Sequence, residues 1–104
     1  MSEDPREKRF AEMAAQFPSS AMAHFSLGGF YLEGRRYQEA IKSLEEAMKL
    51  EPTYCAALVE LGDAYLGAGE RSKALKTYDD AKAVAISQKH LNLAEEIERK
   101  KAQV

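Results

Sequence analysis

The chain has no tryptophan, one cysteine and three prolines in 104 residues, and each shortage narrows what it can be. Cys55, alone, cannot close an internal disulfide, so no covalent framework holds the fold and a reducing compartment is expected. One thiol and two distant histidines, His24 and His90, give no metal-ligand spacing. No apolar run approaches the ~20 residues that span a bilayer. The N-terminus carries Glu3 and Asp4 and lacks the apolar core of a signal peptide, so a cytoplasmic location is the expectation. Neither sign of charge dominates: 15 Lys and Arg against 17 Asp and Glu leave a formal net charge of -2. The basic residues form no stripe, which argues against nucleic acid or a membrane surface as partner.

What remains is 45% hydrophobic and 31% charged, a balance that fits one alanine-rich helical domain. A chain of this length buries only about two-thirds of its unfolded surface, so stability is expected to be modest.

The dominant feature is an internal repeat. Residues 21–54 and 55–88 superpose at a shift of 34, the distance from Gly28 to Gly62. Leu27-Gly28 falls on Leu61-Gly62, Tyr31 on Tyr65, Ala40 on Ala74, Leu44 on Tyr78 and Ala47 on Ala81. Glycine inside a helix costs ~1 kcal/mol relative to alanine, so Gly28 and Gly62 make sense where a second helix must approach closely. Ala40, Ala47, Ala74 and Ala81 are the small residues of that second helix, and Tyr31, Tyr65, Leu44 and Tyr78 are the large ones that fill the gaps. Pro52 ends the first hairpin; Ile86 stands in its place in the second, so the helix around Tyr78 is expected to run on or the array to close there.

Leu-Gly-x-x-Tyr, then Ala-x-x-x-large apolar, then Ala, at this period, resembles the tetratricopeptide repeat family. The resemblance implies an all-α solenoid of antiparallel helix hairpins, here about six helices in a single domain. Residues 4–17 are expected to form an N-terminal cap helix, 21–54 and 55–88 the two repeats, and 89–102 a C-terminal cap helix. Asp4, Pro5 and Glu7 spell a helix start with a capping box. Phe10, Met13, Ala14 and Phe17 follow as one apolar face. The register also places Phe10 on Leu44 and Pro18 on Pro52, the signature of the second helix of a decayed repeat, with Arg6 and Met13 where small residues would stand. Ser19 or Ser20 caps the next helix, which ends at Gly34. Leu75, Tyr78, Ala81, Val84 and Ala85 are expected inward on the fourth repeat helix. Beyond Gln88 the template fails, with Glu95-Glu96 in place of Leu-Gly and Arg99 in place of tyrosine. Leu91, Leu93, Ala94 and Ile97 can still cover the second hairpin while Lys100, Lys101 and the acids face water.

No catalytic constellation is legible. His24 stands where the family often has tryptophan and reads as structural; His90 reads as solvated. Cys55 reads as a small buried hydrophobe, with a redox role as the lesser alternative. Leu-Gly-Gly-Phe at Gly28-Gly29 falls inside a helix and is no phosphate loop. Glu45-Glu46, Asp79-Asp80 and Glu95-Glu96 are sequence neighbours, which diverge on a helix and so serve solvation.

In this family the first helices of successive hairpins line a concave face. The residues expected there are Met22, Phe25, Gly29, Leu32 and Glu33, then Ala56, Val59, Asp63, Leu66 and Gly67. Burying Phe25, Leu32, Val59 or Leu66 contributes ~1.5 to 3 kcal/mol each, a motive for a partner to occupy the groove. One subgroup of the family grips C-terminal carboxylates of chaperones through lysine, asparagine and arginine. Here Phe25, Gly29, Glu60, His90 and Ala94 stand at those places, so the clamp is absent. The resemblance therefore implies a non-catalytic module, without cofactor, that binds an apolar or amphipathic protein or peptide segment, with Asp63 or Glu33 meeting a basic residue. The alternatives are self-association through the same groove, giving a homodimer, and an accessory subunit of an enzyme.

Overall fold

A computed structural model describes residues 4–104. Among the described residues six helices follow one another and no strand occurs: α1 (Pro5–Gln16), α2 (Ala21–Glu33), α3 (Tyr37–Leu50), α4 (Cys55–Gly67), α5 (Arg71–Ser87) and α6 (Leu91–Ala102). Each packs on the next, α2 with α3 and α4 with α5 most intimately. The expected all-α hairpin solenoid is the observed architecture.

Helix ends follow from local chemistry. The Asp4 carboxylate accepts the Arg6 N–H at 2.9 Å with Pro5 in the first turn, and Ser20 Oγ accepts the Ala23 N–H at 3.2 Å. Glu7, expected in a capping box, sends its carboxylate to the Arg36 guanidinium at 2.9 Å and so ties α1 to the start of α3. Helices α2, α4 and α5 end alike. The N–H of Arg36 reaches the Tyr31 carbonyl at 2.9 Å, Glu70 reaches Tyr65 at 2.9 Å and His90 reaches Ala85 at 2.8 Å. This Schellman arrangement needs a left-handed residue just before the donor. Gly69 supplies it at φ 82, but Arg35 and Lys89 supply it at φ 59 and 63 against the preference of L side chains. Gly34, expected to close α2, is the cap residue at an ordinary φ of -82. Without a proline to stop it, α5 runs 17 residues against 14 for α3.

Glycine against a large side chain closes each hairpin. A Cβ on Gly28 would stand 2.6 Å from Leu44 Cγ, and one on Gly62 would stand 2.5 Å from Tyr78 Cε1. Two cores result. Ala40, Ile41, Leu44 and Ala47 of α3 meet Ala57, Leu61 and Ala64 of α4 in the first. Cys55 and Leu58 of α4 meet α5 and then Ala94 and Ile97 of α6 in the second. Helix α4 is thus buried on two sides.

Several expected core positions lie outside. Leu75 is 37% exposed, because the inward stripe of α5 runs Ala74, Tyr78, Ala81, Ala85; Thr77 is buried and gives its hydroxyl to the Lys73 carbonyl at 2.7 Å. Met13 and Phe17 are exposed, and α1 is held by Ala14 and by Phe10, whose ring lies 5.8 Å from that of Phe30. Leu91, the first residue of α6, is also exposed.

Gly62→Val is expected to cost at least ~2 kcal/mol in a urea melt, since Tyr78 cannot yield without opening the hairpin. Arg35→Gly is expected to gain about 0.5 to 1 kcal/mol, the relief of left-handed strain outweighing the added freedom of the unfolded chain.

Candidate peptide-binding face

Helices α2 and α4 are the first helices of the two hairpins, and α6 packs on α5 beyond them. Helix α2 lies against α4, whereas α3 and α5 pack against each other less; the side that α2 and α4 present is the inner side, on which the family resemblance implies a groove. The residues expected on this side divide by what they touch. The Phe25 ring lies 4.9 Å from the Tyr54 ring and braces α2 against the start of α4. Leu32 packs on the first core and Val59 on the second. Met22, Ala56, Glu33 and Leu66 are exposed. Gly67 does not serve the inner side: a Cβ there would strike the Tyr37 ring of α3, so this glycine admits a neighbouring helix.

Asp63, expected to meet a partner's base, is already engaged. It accepts the Tyr78 hydroxyl and pairs with Lys100 Nζ at 3.2 Å, joining α4, α5 and α6. Burial first, then the Asp63 carboxylate, push the Tyr78 hydroxyl far above its ordinary pKa, which keeps it a donor. Lys101 likewise reaches back to Asp79 at 2.6 Å, and Glu45 accepts the Tyr65 hydroxyl at 2.9 Å. These lysines and carboxylates, expected to be solvated, bind across helices because the superhelix brings neighbouring helix faces together.

The residue that stands out is Glu60. Its Oε2 is the buried side-chain polar atom that lacks a hydrogen-bond partner among the described residues. It faces Gly29 of α2, where a Cβ would lie 3.4 Å from Oε2. Burial, then the Asp63 and Glu33 carboxylates, raise its pKa, and Lys100 opposes the shift. In front lies a cavity of about 320 Å³ lined by Gly29, Phe30 and Glu33 of α2, Glu60 of α4, and Arg6 and Phe10 of α1. A larger recess of about 580 Å³ adjoins it and shares Glu33; its other charges are paired, Arg6 with Asp4 and Arg36 with Glu39. Glu60 falls on Ser26 in the repeat register, so the repeat itself does not mark it, although Glu60 and Gly29 both stand at places where the family's clamp subgroup has its basic or amide residues. Gly29, a second glycine beside the repeated Gly28, was the available signal of close approach.

The other candidates for chemistry are structural. The Cys55 thiol is buried, points at the Ala81 carbonyl at 3.4 Å and has its pKa raised by burial, the opposite of an activated nucleophile. His24 Nε2 lies 2.9 Å from the Pro18 carbonyl and latches the α1–α2 turn. His90 is the exposed N-cap residue of α6. Among the described residues no three His, Cys, Asp or Glu side chains group to hold a metal, and no helix is long and apolar enough to cross a membrane.

This geometry defines a helical-repeat interaction module. Two tetratricopeptide repeat descriptions match the chain, over residues 31–85 and 7–54, and the chain belongs to the tetratricopeptide repeat family. Its fold is similar to that of protein BPP2914 from Bordetella parapertussis, with TM-score 0.84 and 26% identity over 96% of this chain and 87% of that one. It is also similar to the TPR2B domain of yeast Sti1 in a complex with pHsp70, with TM-score 0.86 and 22% identity over 92% and 77% of the two chains. In sequence it is 33% identical over 69 residues to the anaphase-promoting complex subunit CDC16 of Saccharomyces cerevisiae. That match takes in 66% of this chain and 8% of the relative's length.

Glu60→Gln removes a charge that the fold penalises. Because the carboxyl pKa is raised above its ordinary 4.5, protonation stabilises the folded chain fully below that value, and the contribution is lost as pH rises through the raised pKa. In scanning calorimetry the variant is expected to melt with wild type in acid. It is expected to melt higher at neutral pH, the gap opening from pH 4.5 upward.

Proposed function

We propose that the chain is a non-catalytic adaptor whose concave face, along α2 and α4, binds an amphipathic segment of a partner protein. The single observation that carries this reading is the cavity at Gly29, where the helix backbone is bare and an acceptor on the facing helix lacks a donor. Exposed Met22 and Leu66 offer apolar contacts at either end of the face. The family supports the reading, since the similar TPR2B domain of Sti1 is itself seen in a complex with pHsp70. The absence of the carboxylate clamp, with Gly29 and Glu60 at clamp positions, turns the preference away from acidic tails.

A second reading is favoured by a different observation. Phe17, Met22, Leu50, Ile86 and Leu91 are exposed large apolar residues, and all sit at the α1–α2, α3–α4 and α5–α6 turns. The Gln88 side chain donates to the Thr53 carbonyl at 3.1 Å, so the last two of these turns adjoin. This edge offers a surface for self-association.

The test is selection of peptides from a displayed library against the full chain, followed by amide-shift mapping and sedimentation. Selected peptides are expected to perturb α2 and α4. Gly29→Leu, which fills the cavity beside a movable carboxylate, is expected to weaken binding tenfold or more with no loss of melting temperature. Equal binding by the variant overturns the groove. A concentration-dependent dimer abolished by Leu91→Glu moves the function to the turn edge.

A further inference from the structure

We propose that the cavity between α1, α2 and α4 receives a basic side chain, arginine or lysine, of the partner peptide, with the Glu60 carboxylate as its anchor. This rests on the concave-face reading and names the chemistry which that face selects.

Three observations meet here. Oε2 of Glu60 is buried without a donor, and a buried acceptor left unmade is a standing cost that a ligand's N–H can remove. The lining includes Phe30, on whose ring a guanidinium already rests: Cζ of Arg6 lies 5.4 Å from the ring centroid. An aromatic face beside carboxylates attracts cations, and this chain's own arginine marks where one sits. Arg6 itself is held by the Asp4 carboxylate at 2.8 Å and leaves Glu60 Oε2 unpartnered.

The third observation is the local charge balance. The titratable groups around Glu60 are Asp63 on its own helix, Tyr54 at the start of α4, Glu33 on α2, Lys100 on α6 and Arg6 on α1. Lys100 is committed to Asp63 and Arg6 to Asp4. Glu60 and Glu33 then face one cavity without a direct ion pair to either among the described residues, Lys100 and Arg6 acting on them only from a distance. A neutral donor would satisfy the orphan oxygen but would not relieve the repulsion between these two carboxylates, whereas an ammonium or guanidinium does both.

The arrangement makes binding sensitive to protons. A cation needs Glu60 ionised, and burial with like charges holds its carboxyl above the ordinary range, so affinity falls as pH drops through that raised pKa. Binding near that pH releases a proton.

The experiment uses the full chain, wild type and Glu60→Gln, with two probes read by calorimetry and by amide shifts. The first probe is a library-selected peptide, compared with versions in which its basic residue is replaced by citrulline or glutamine. Neutralising that residue is expected to weaken wild type tenfold or more, and Glu60→Gln less than twofold. The second probe is Nα-acetyl-arginine N-methylamide, expected to shift the Gly29 and Glu60 amides in wild type only, and more strongly at pH 8 than at pH 5. Equal losses in both proteins, or selected peptides that lack a basic residue, overturn the anchor while the groove reading stands. Peptides that map away from α2 and α4 sink the groove reading, and the arginine probe then decides the anchor alone. A folded Glu60→Gln that binds that probe as wild type does overturns it.

Discussion

Contact between a glycine on one helix and a large side chain on its partner sets everything else in this molecule. Leu44 occupies the volume where a Gly28 Cβ would be, and Tyr78 does the same at Gly62. Each glycine weakens its own helix by ~1 kcal/mol relative to alanine. The return is an interhelical approach close enough for Ala40, Ala47, Ala74 and Ala81 to become fully buried. Since both repeats make the same contact, the two hairpins share one geometry, and stacking them yields a regular array.

The stacking is carried by α4. It gives Ala57, Leu61 and Ala64 to one core and Cys55 and Leu58 to the other, so neither hairpin is complete without it. At the ends, ion pairs are added to apolar burial. Arg36 holds α1 through Glu7 while lying 4.7 Å over the Tyr31 ring, and Lys100 and Lys101 hold α6 through Asp63 and Asp79. Partly exposed ion pairs of this kind contribute little each. They orient the cap helices more than they stabilise them, and the ends are expected to be the first parts to open.

The inner face departs from this economy at one place. Three other buried polar groups are matched: the Cys55 thiol to Ala81, Thr77 to Lys73 and Tyr78 to Asp63. Glu60 sits among other acids with a buried oxygen unmatched, and Gly29 keeps the space before it open. A local rule broken without compensation inside the chain is where function is to be sought. Here the rule is hydrogen-bond satisfaction, and the residue stands on the face for which a partner is proposed.

The sequence by itself determined the repeat, its helices and the packing partners within each hairpin, because those depend on spacing within one segment. Gly28 with Leu44 and Gly62 with Tyr78 were readable from a shift of 34 residues. A serine cap at Ser19 or Ser20 was also readable, and it falls at Ser20; Ile86 in place of proline left open a longer α5 or a closing array, and α5 is longer. Only the tertiary structure decided which polar residues of successive helices meet, since that depends on the superhelical rotation between hairpins. It engaged Asp63 with Tyr78 and Lys100, turned Gly67 toward Tyr37, left Leu75 and Leu91 in the open, and isolated Glu60 opposite Gly29. The period that sets the fold is local and repeats. A site is made by residues where the repeats differ, and their meeting is fixed by the angle between helices rather than by any interval along the chain.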